Sequence, residues 1–269
     1  MTVRPRGRRR SGRTPALLLV PAAAALAFLV LPVVGLLVRA PWSTMPQRLT
    51  DPGVLTALRL SLQTATIATL VCVVLGVPLA WLLARVEFPG RRLVRALVTV
   101  PLVLPPVVGG LALLLVFGRR GLVGGWLDET FGITLAFTTT GVVLAEAFVA
   151  MPFLVIAVEG ALRGADARYE EAAATLGAGR WTTFRRVTLP LVAPGVAAGA
   201  VLCWARALGE FGATITFAGN RPGVTQTMPL AVYVELERDL DAAIVLSLIL
   251  LVVSVAILAG LRDRWITAP

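Results

Sequence analysis

The sequence predicts an all-α polytopic membrane protein with six transmembrane helices. Three observations carry this expectation. Of the 269 residues 57% are hydrophobic and 15% charged; mean hydropathy is +0.85; and apolar runs recur at or above the ~20 residues that a tilted helix needs to cross hydrocarbon. Such a composition excludes an ordinary soluble domain.

The runs fall at 16–38, 58–84, 93–117, 136–160, 190–217 and 241–261. The first follows a tail, residues 1–15, that contains Arg8-Arg9-Arg10, and so must be told from a secretory or twin-arginine leader. Its apolar stretch from Ala16 to Val38 exceeds the about 7–15 residues of a leader core, and no small-x-small cleavage site follows, so it reads as a retained helix. The second and fourth runs hold Pro78 and Pro152, each of which removes a helix hydrogen bond and favours a kink. The third holds Thr99-Val100-Pro101-Leu102-Val103-Leu104-Pro105, which Thr188-Leu189-Pro190-Leu191-Val192-Ala193-Pro194 of the fifth echoes. Both read as helices restarting after a cytoplasmic break.

Between the fourth and fifth runs lies a polar, helix-forming segment. Tyr169, Ala172, Ala173 and Leu176 fall at i, i+3, i+4 and i+7 and share a helix face, while Arg168, Glu171 and Thr175 point elsewhere. Asp166 suits the N-terminal cap and Gly177 the left-handed position after the last turn. Periodicity alone fits equally well an amphipathic helix in the headgroup region.

Arginine placement orients the helices. The residue 1–15 tail, the 85–95 loop, the 163–186 loop and the C-terminus hold seventeen of the twenty-five arginines, whereas the alternate loops hold seven and Arg206 lies within a span. By the positive-inside rule both termini and the 163–189 loop are expected in the cytoplasm of a multi-pass cell (plasma or inner) membrane protein. The net charge of +10 therefore reports topology and contact with membrane lipid, not nucleic-acid binding. Arg180, Arg185 and Arg186 serve either as such an anchor or as a hold on an acidic partner surface.

Absences bound the chemistry. Without a histidine there is no Ser-His or Cys-His pair and no imidazole metal site. Cys72 and Cys203, each alone in an apolar run, read as small buried hydrophobes. No phosphate-binding Gly-x4-Gly-Lys-Ser/Thr loop occurs, so the chain holds no ATP in that manner, and no catalytic residue, metal site or bound cofactor is expected. Charges inside the spans are costly in lipid and mark partners or water-filled paths. Glu146 lies in the fourth run without an evident partner. Arg206 and Glu210, four apart in the fifth, form either a local ion pair or a substrate contact.

The spacing Glu171-Ala172-Ala173-x3-Gly177-x9-Val187-x-Leu189-Pro190 resembles the Glu-Ala-Ala loop of ATP-binding-cassette (ABC) importer permeases, with Val187 where that family more usually has Ile. The resemblance implies a type I ABC importer permease fold whose cytoplasmic coupling helix docks on a separate ATPase subunit. Tyr169, Glu171, Ala172, Ala173, Leu176, Gly177, Leu189 and Pro190 are then the coupling residues. Further blocks occur in order: Phe88-Pro89-Gly90, Pro101 to Val108, Gly118-Arg119-Arg120-Gly121, Phe131-Gly132-Ile133-Thr134, Thr175 to Trp181 and Leu208 to Phe217. Together they are similar to the molybdate permeases of these importers over roughly four-fifths of the chain.

What the similarity implies is a transport subunit rather than an enzyme. Two copies of the permease would receive molybdate, and tungstate with it, from an extracytoplasmic binding protein, while two ABC ATPase subunits hydrolyse Mg-ATP on the cytoplasmic side. On this reading 1–15 is a basic tail, 16–50 an extra first helix with its external loop that wraps the neighbouring subunit, 51–262 the permease core with the coupling loop 163–189, and 263–269 a cytoplasmic tail. Glu146, Arg206, Glu210, Thr214, Thr216 and Asn220 are the candidate pathway residues. The threonine hydroxyls serve either the passing anion or their own helix carbonyls. Sulfate or thiosulfate import by a sister permease is the near alternative; an ATP-independent secondary transporter would leave the Glu-Ala-Ala spacing unexplained.

Overall fold

The computed structural model describes residues 16–266; the tail read at 1–15 and the end of the 263–269 tail lie outside the described residues. The chain runs α1 (Ala16–Arg39), α2 (Met45–Leu49), α3 (Pro52–Arg85), α4 (Arg91–Val103), α5 (Pro106–Phe117), α6 (Gly124–Phe131) and α7 (Thr139–Gly164). It continues through α8 (Arg168–Thr175), α9 (Arg180–Thr183), a π-helical turn (Phe184–Thr188), α10 (Leu189–Leu208), α11 (Gly212–Phe217), α12 (Met228–Arg238) and α13 (Leu240–Ile266). No strand occurs among the described residues.

Helix starts follow local chemistry. Asp51 accepts from the Gly53 amide at 2.7 Å ahead of α3, with Pro52 at the position whose N–H would go unused. Thr138 caps α7 by accepting from Gly141 N at 3.1 Å. Both long helices then continue through Pro78 and Pro152.

Five helical stretches are long and apolar enough to cross a membrane: α1, α3, α7, the continuous rod Arg180–Leu208, and α13. A sixth crossing arises only if α4 and α5 together count as one. The run 93–117, expected as a single span, is broken: the chain bends by 117° between α4 and α5. Leu104 is extended (φ −65°, ψ 132°) because the ring of Pro105 disfavours helical geometry in the residue before it. The run 190–217 is corrected at both ends. Its helix starts at Arg180, with no break at Pro190, and stops at Leu208. The π-helical turn, in which Leu189 N bonds back to Phe184 O, widens the helix just where Pro190 brings a ring and no N–H.

The centre is a three-helix pack of α3, α7 and α10. Small residues set its closeness, as membrane helices require where lipid is as apolar as any side chain. A Cβ at Gly76 of α3 would lie 3.0 Å from Leu154 Cδ2, and one at Gly199 of α10 would lie 3.3 Å from Leu154 Cδ1. Leu154 is thus held between two helices. Cys72 and Cys203, each alone in its own run, meet in this core. A second cluster joins α5, α7 and α11 through Leu113, Ala145, Val149, Ala213 and Phe217. A third sets the α12–α13 hairpin on α3, where Ser61 Oγ accepts from Met228 N at 2.7 Å. Helix α1 packs chiefly on α13, and its apolar side chains stay exposed.

Candidate functional site

Two constellations gather the residues singled out by the sequence. The first is the α8 corner. Asp166 Oδ1 accepts from Arg168 N at 3.0 Å and opens α8. Gly177 closes it at φ +83°, a conformation that costs an L side chain and suits glycine. The closing bonds run from Gly177 N to Ala174 O and from Ala178 N to Ala173 O, each 3.0 Å, satisfying carbonyls that the helix end leaves open.

Eight turn-forming residues thus present a short, well-capped helix with an apolar outer face. Tyr169 is 59% exposed, Leu176 89% and Trp181 72%. Glu171 and Ala172 also face outward, and Ala173 is half-buried. Leu189 and Pro190 stand apart from this face, on the rod, with Leu189 packed against the central core.

Glu170, which the sequence did not single out, is the residue of α8 that faces inward. Its carboxylate lies 3.2 Å from Arg85 Nη2 at the end of α3, and Thr188 Oγ1 of the π-helical turn donates to Glu170 Oε1 at 3.0 Å. Arg85 Nη2 also reaches Ala165 O at 3.4 Å. The local spacing did not mark it: neighbouring helical residues point about 100° apart, which separates Glu170 from Glu171 without saying which of them meets the bundle. Nearby, Arg95 and Arg163 both reach Glu159 Oε1, each through Nη2 at 2.7 Å, joining α4 to α7.

The second constellation surrounds the break after α10. Arg206 Nη2 lies 2.6 Å from Glu210 Oε2, and Ala213 N donates to Glu210 Oε1 at 2.8 Å. Glu210, buried, therefore bridges the end of α10 to the start of α11, and both its oxygens are used. This is the ion-pair alternative of the two open for Arg206 and Glu210. Thr216 Oγ1 donates to Gly212 O at 2.9 Å, its own helix, the arrangement that makes a threonine hydroxyl structural.

Other hydroxyls and carboxylates here are not consumed. Glu146, 1% exposed, receives Thr64 Oγ1 of α3 on Oε1 at 2.9 Å, while Oε2 has no partner among the described residues. Thr214 Oγ1 on α11 and Asn220 Oδ1 just beyond it are likewise buried without a partner among the described residues. Unpaired buried polar atoms cost free energy and call for an account. The structure thus brings Arg206, Glu210 and α11 together, and gives Glu146 a partner from a helix 82 residues away.

The comparisons with known proteins agree with this architecture. Residues 76–268 match the family described as the binding-protein-dependent transport system inner membrane component. The chain is 52% identical over 245 residues to the molybdenum transport system permease protein ModB of Mycobacterium tuberculosis, covering 91% of this chain and 92% of that one. It is 38% identical over 238 residues to the sulfate transport system permease protein CysT of Escherichia coli, covering 87% and 86%. Among solved structures, a bacterial ABC transporter that imports the acidic polysaccharide alginate superposes with a TM-score of 0.76 at 20% identity, covering 94% of this chain and 95% of that one. That likeness speaks for the fold, a multi-pass membrane bundle.

Proposed function

The chain belongs to the family of binding-protein-dependent transport system inner membrane components, and on that premise we propose that it is the membrane-spanning subunit of an ATP-driven importer that carries molybdate into the cytoplasm. The observation that carries the substrate is the near full-length identity to a molybdenum permease, well above that to the sulfate permease. Tungstate, of nearly the same size and charge, shares the route. The chain is a transport subunit; hydrolysis belongs to two ABC ATPase subunits.

In this reading α8 lies on the cytoplasmic side with both termini, as the arginine distribution supports. It is the coupling helix: Tyr169 and Leu176 are apolar knobs for a groove on the ATPase, with Glu171, Ala172, Ala173 and Gly177 shaping their support. Two copies of the permease form the pathway, one copy being half a channel, and exposed α1 lies against the second copy.

The pathway residues suit release rather than capture. Arg206 has its charge offset by Glu210, so a passing dianion meets no uncompensated guanidinium there. The Thr214 hydroxyl, without a partner among the described residues, and the side-chain amide N–H of Asn220 offer weak neutral donors that let an oxyanion move on. An extracytoplasmic binding protein supplies the affinity. Thr216 and Glu210 position this region, and Glu146 backs it from α7.

The test is uptake of radiolabelled molybdate by cells lacking their own importer, supplied with this permease, its ATPase and its binding protein. Uptake blocked by tungstate and indifferent to excess sulfate is expected. Sulfate uptake without molybdate uptake would move the substrate to the sister class and leave the architecture.

A further inference from the structure

We infer that Glu170, with Arg85 and Thr188, is a positioning latch that converts a displacement of α8 into movement of α3 and of the Arg180–Leu208 rod. The inference rests on the proposed reading of α8 as the element that receives ATPase movement. It concerns a residue beside the Glu-Ala-Ala spacing rather than within it.

Apart from this contact α8 is loosely attached. Tyr169, Glu171, Ala172 and Leu176 all face outward. Its covalent connections are soft: the chain enters after Gly164 and leaves through Gly177 and Gly179, and glycine tolerates large backbone changes. A push on α8 would be absorbed by such joints unless a side chain bridged them. Glu170 is that bridge. It holds Arg85 at the last turn of α3 and Thr188 at the end of the π-helical turn.

Thr188 gives a second, independent indication. A threonine in a helix ordinarily donates to a carbonyl of its own preceding turn, as Thr66, Thr69 and Thr216 do here. Buried Thr188 instead donates across to Glu170. It belongs to the π-helical turn, a one-residue irregularity of the kind associated with functional motion. Arg85 adds a third tie through Ala165 O, on the strand of chain entering α8.

The cleft around this joint encloses about 440 Å3 and is walled by Trp81 and Phe184, whose rings meet edge to face at 6.0 Å. Its charged lining is Arg85, Glu87, Glu170 and Arg180. Arg85 and Glu170 offset each other's charge through Nη2, although Arg85 Nε has no partner among the described residues, and the cleft leaves this pair room to move.

The experiment uses the complete transporter, with ATPase and binding protein, in proteoliposomes. Glu170→Ala is expected to keep its ATPase subunits but to import at least tenfold less molybdate per ATP hydrolysed. The reversal Glu170→Arg with Arg85→Glu should recover a substantial part of that loss. Glu87→Ala, which removes from the same cleft a carboxylate with no ion pair among the described residues, should couple as the wild type does.

A second measurement does not depend on the cargo. Spin labels at Arg168→Cys on α8 and Leu82→Cys on α3, with Cys72 and Cys203 replaced by alanine, should give a narrow distance distribution that broadens with Glu170→Ala and not with Glu87→Ala. An unbroadened distribution, or wild-type coupling in Glu170→Ala, overturns the latch. A broadened distribution in a transporter whose wild type ignores molybdate overturns the substrate assignment instead and leaves the latch standing.

Discussion

Replacing Gly110 by alanine should separate α5 from α11 and disturb the pathway without touching any of its polar groups. A Cβ at Gly110 would lie 2.7 Å from Ala213 O, 2.7 Å from Thr216 Cβ and 3.0 Å from Ala213 Cα. Ordinary contacts between such atoms sit at about 3.5–4.0 Å, so the helices must part by roughly 1 Å. None of the three atoms is the end of a flexible chain, and no rotamer change relieves the overlap.

Overpacking of this kind costs about 1–3 kcal/mol. The better helix propensity of alanine returns about 0.5–1 kcal/mol, and the middle of each range leaves a net destabilisation of roughly 1 kcal/mol. At about 1.4 kcal/mol per tenfold, the packed arrangement is disfavoured by roughly 5- to 10-fold. The adjacent Gly109→Ala is the internal control. Its Cβ would meet Phe148 Cε1 at 3.2 Å, and the half-buried ring has freedom to turn aside.

The assay is thermal unfolding of purified permease in parallel with molybdate uptake at matched expression. Gly110→Ala should unfold roughly 1–8 °C below the wild type and import less, because α11 carries Thr214 and Thr216. Gly109→Ala should stay close to the wild type in both. Equal unfolding temperatures for Gly110→Ala and wild type, or a larger loss in Gly109→Ala, would refute the reasoning.

Two further outcomes follow from single contacts. Gly177→Pro imposes φ near −65° where the chain holds +83° and deletes the N–H that donates to Ala174 O; transport should be lost at equal expression, and unchanged uptake would remove Gly177 from the coupling set. At the opposite corner, the Arg48 guanidinium, 2.8 Å away, and the Ala242 and Asp241 amides hold the Asp239 carboxyl below the usual carboxylate range. A carboxyl whose pKa falls on folding stabilises above its ordinary value, about 4, and loses that contribution as pH drops through the folded value. Asp239→Asn should therefore lower the unfolding temperature at pH 7 and converge with the wild type as pH is taken below about 4; a gap that persists in acid would exclude the Arg48 pair as its origin.

The α8 corner and the α10–α11 break show which features were legible in one dimension. The caps of α8 depend on groups two to five residues apart, so Asp166 and Gly177 could be placed from order alone. Prolines were harder. Pro101 sits inside α4 and Pro190 and Pro194 lie within an unbroken rod, whereas the Pro105-Pro106 pair bends its apolar run. A missing N–H permits a break, but neighbouring helices decide whether one forms, here by a widened turn ahead of Pro190. The motif drew the eye to Glu171, while Glu170 became visible only once Arg85 and Thr188 stood beside it.

Hydropathy and arginine count, being sums over neighbouring residues, determined by themselves that the chain is a membrane helical protein and which loops are basic; the spacing of short motifs gave the resemblance, and Asp166 and Gly177 the ends of α8. The tertiary structure alone decided which charges are spent and which are free. Arg85 and Glu170 are 85 residues apart in sequence, and Thr64 and Glu146 are 82 apart. A carboxylate's partner is chosen by proximity in a medium with little water to substitute for it, and proximity across the α3, α7 and α10 pack is a property of how small residues let those helices approach.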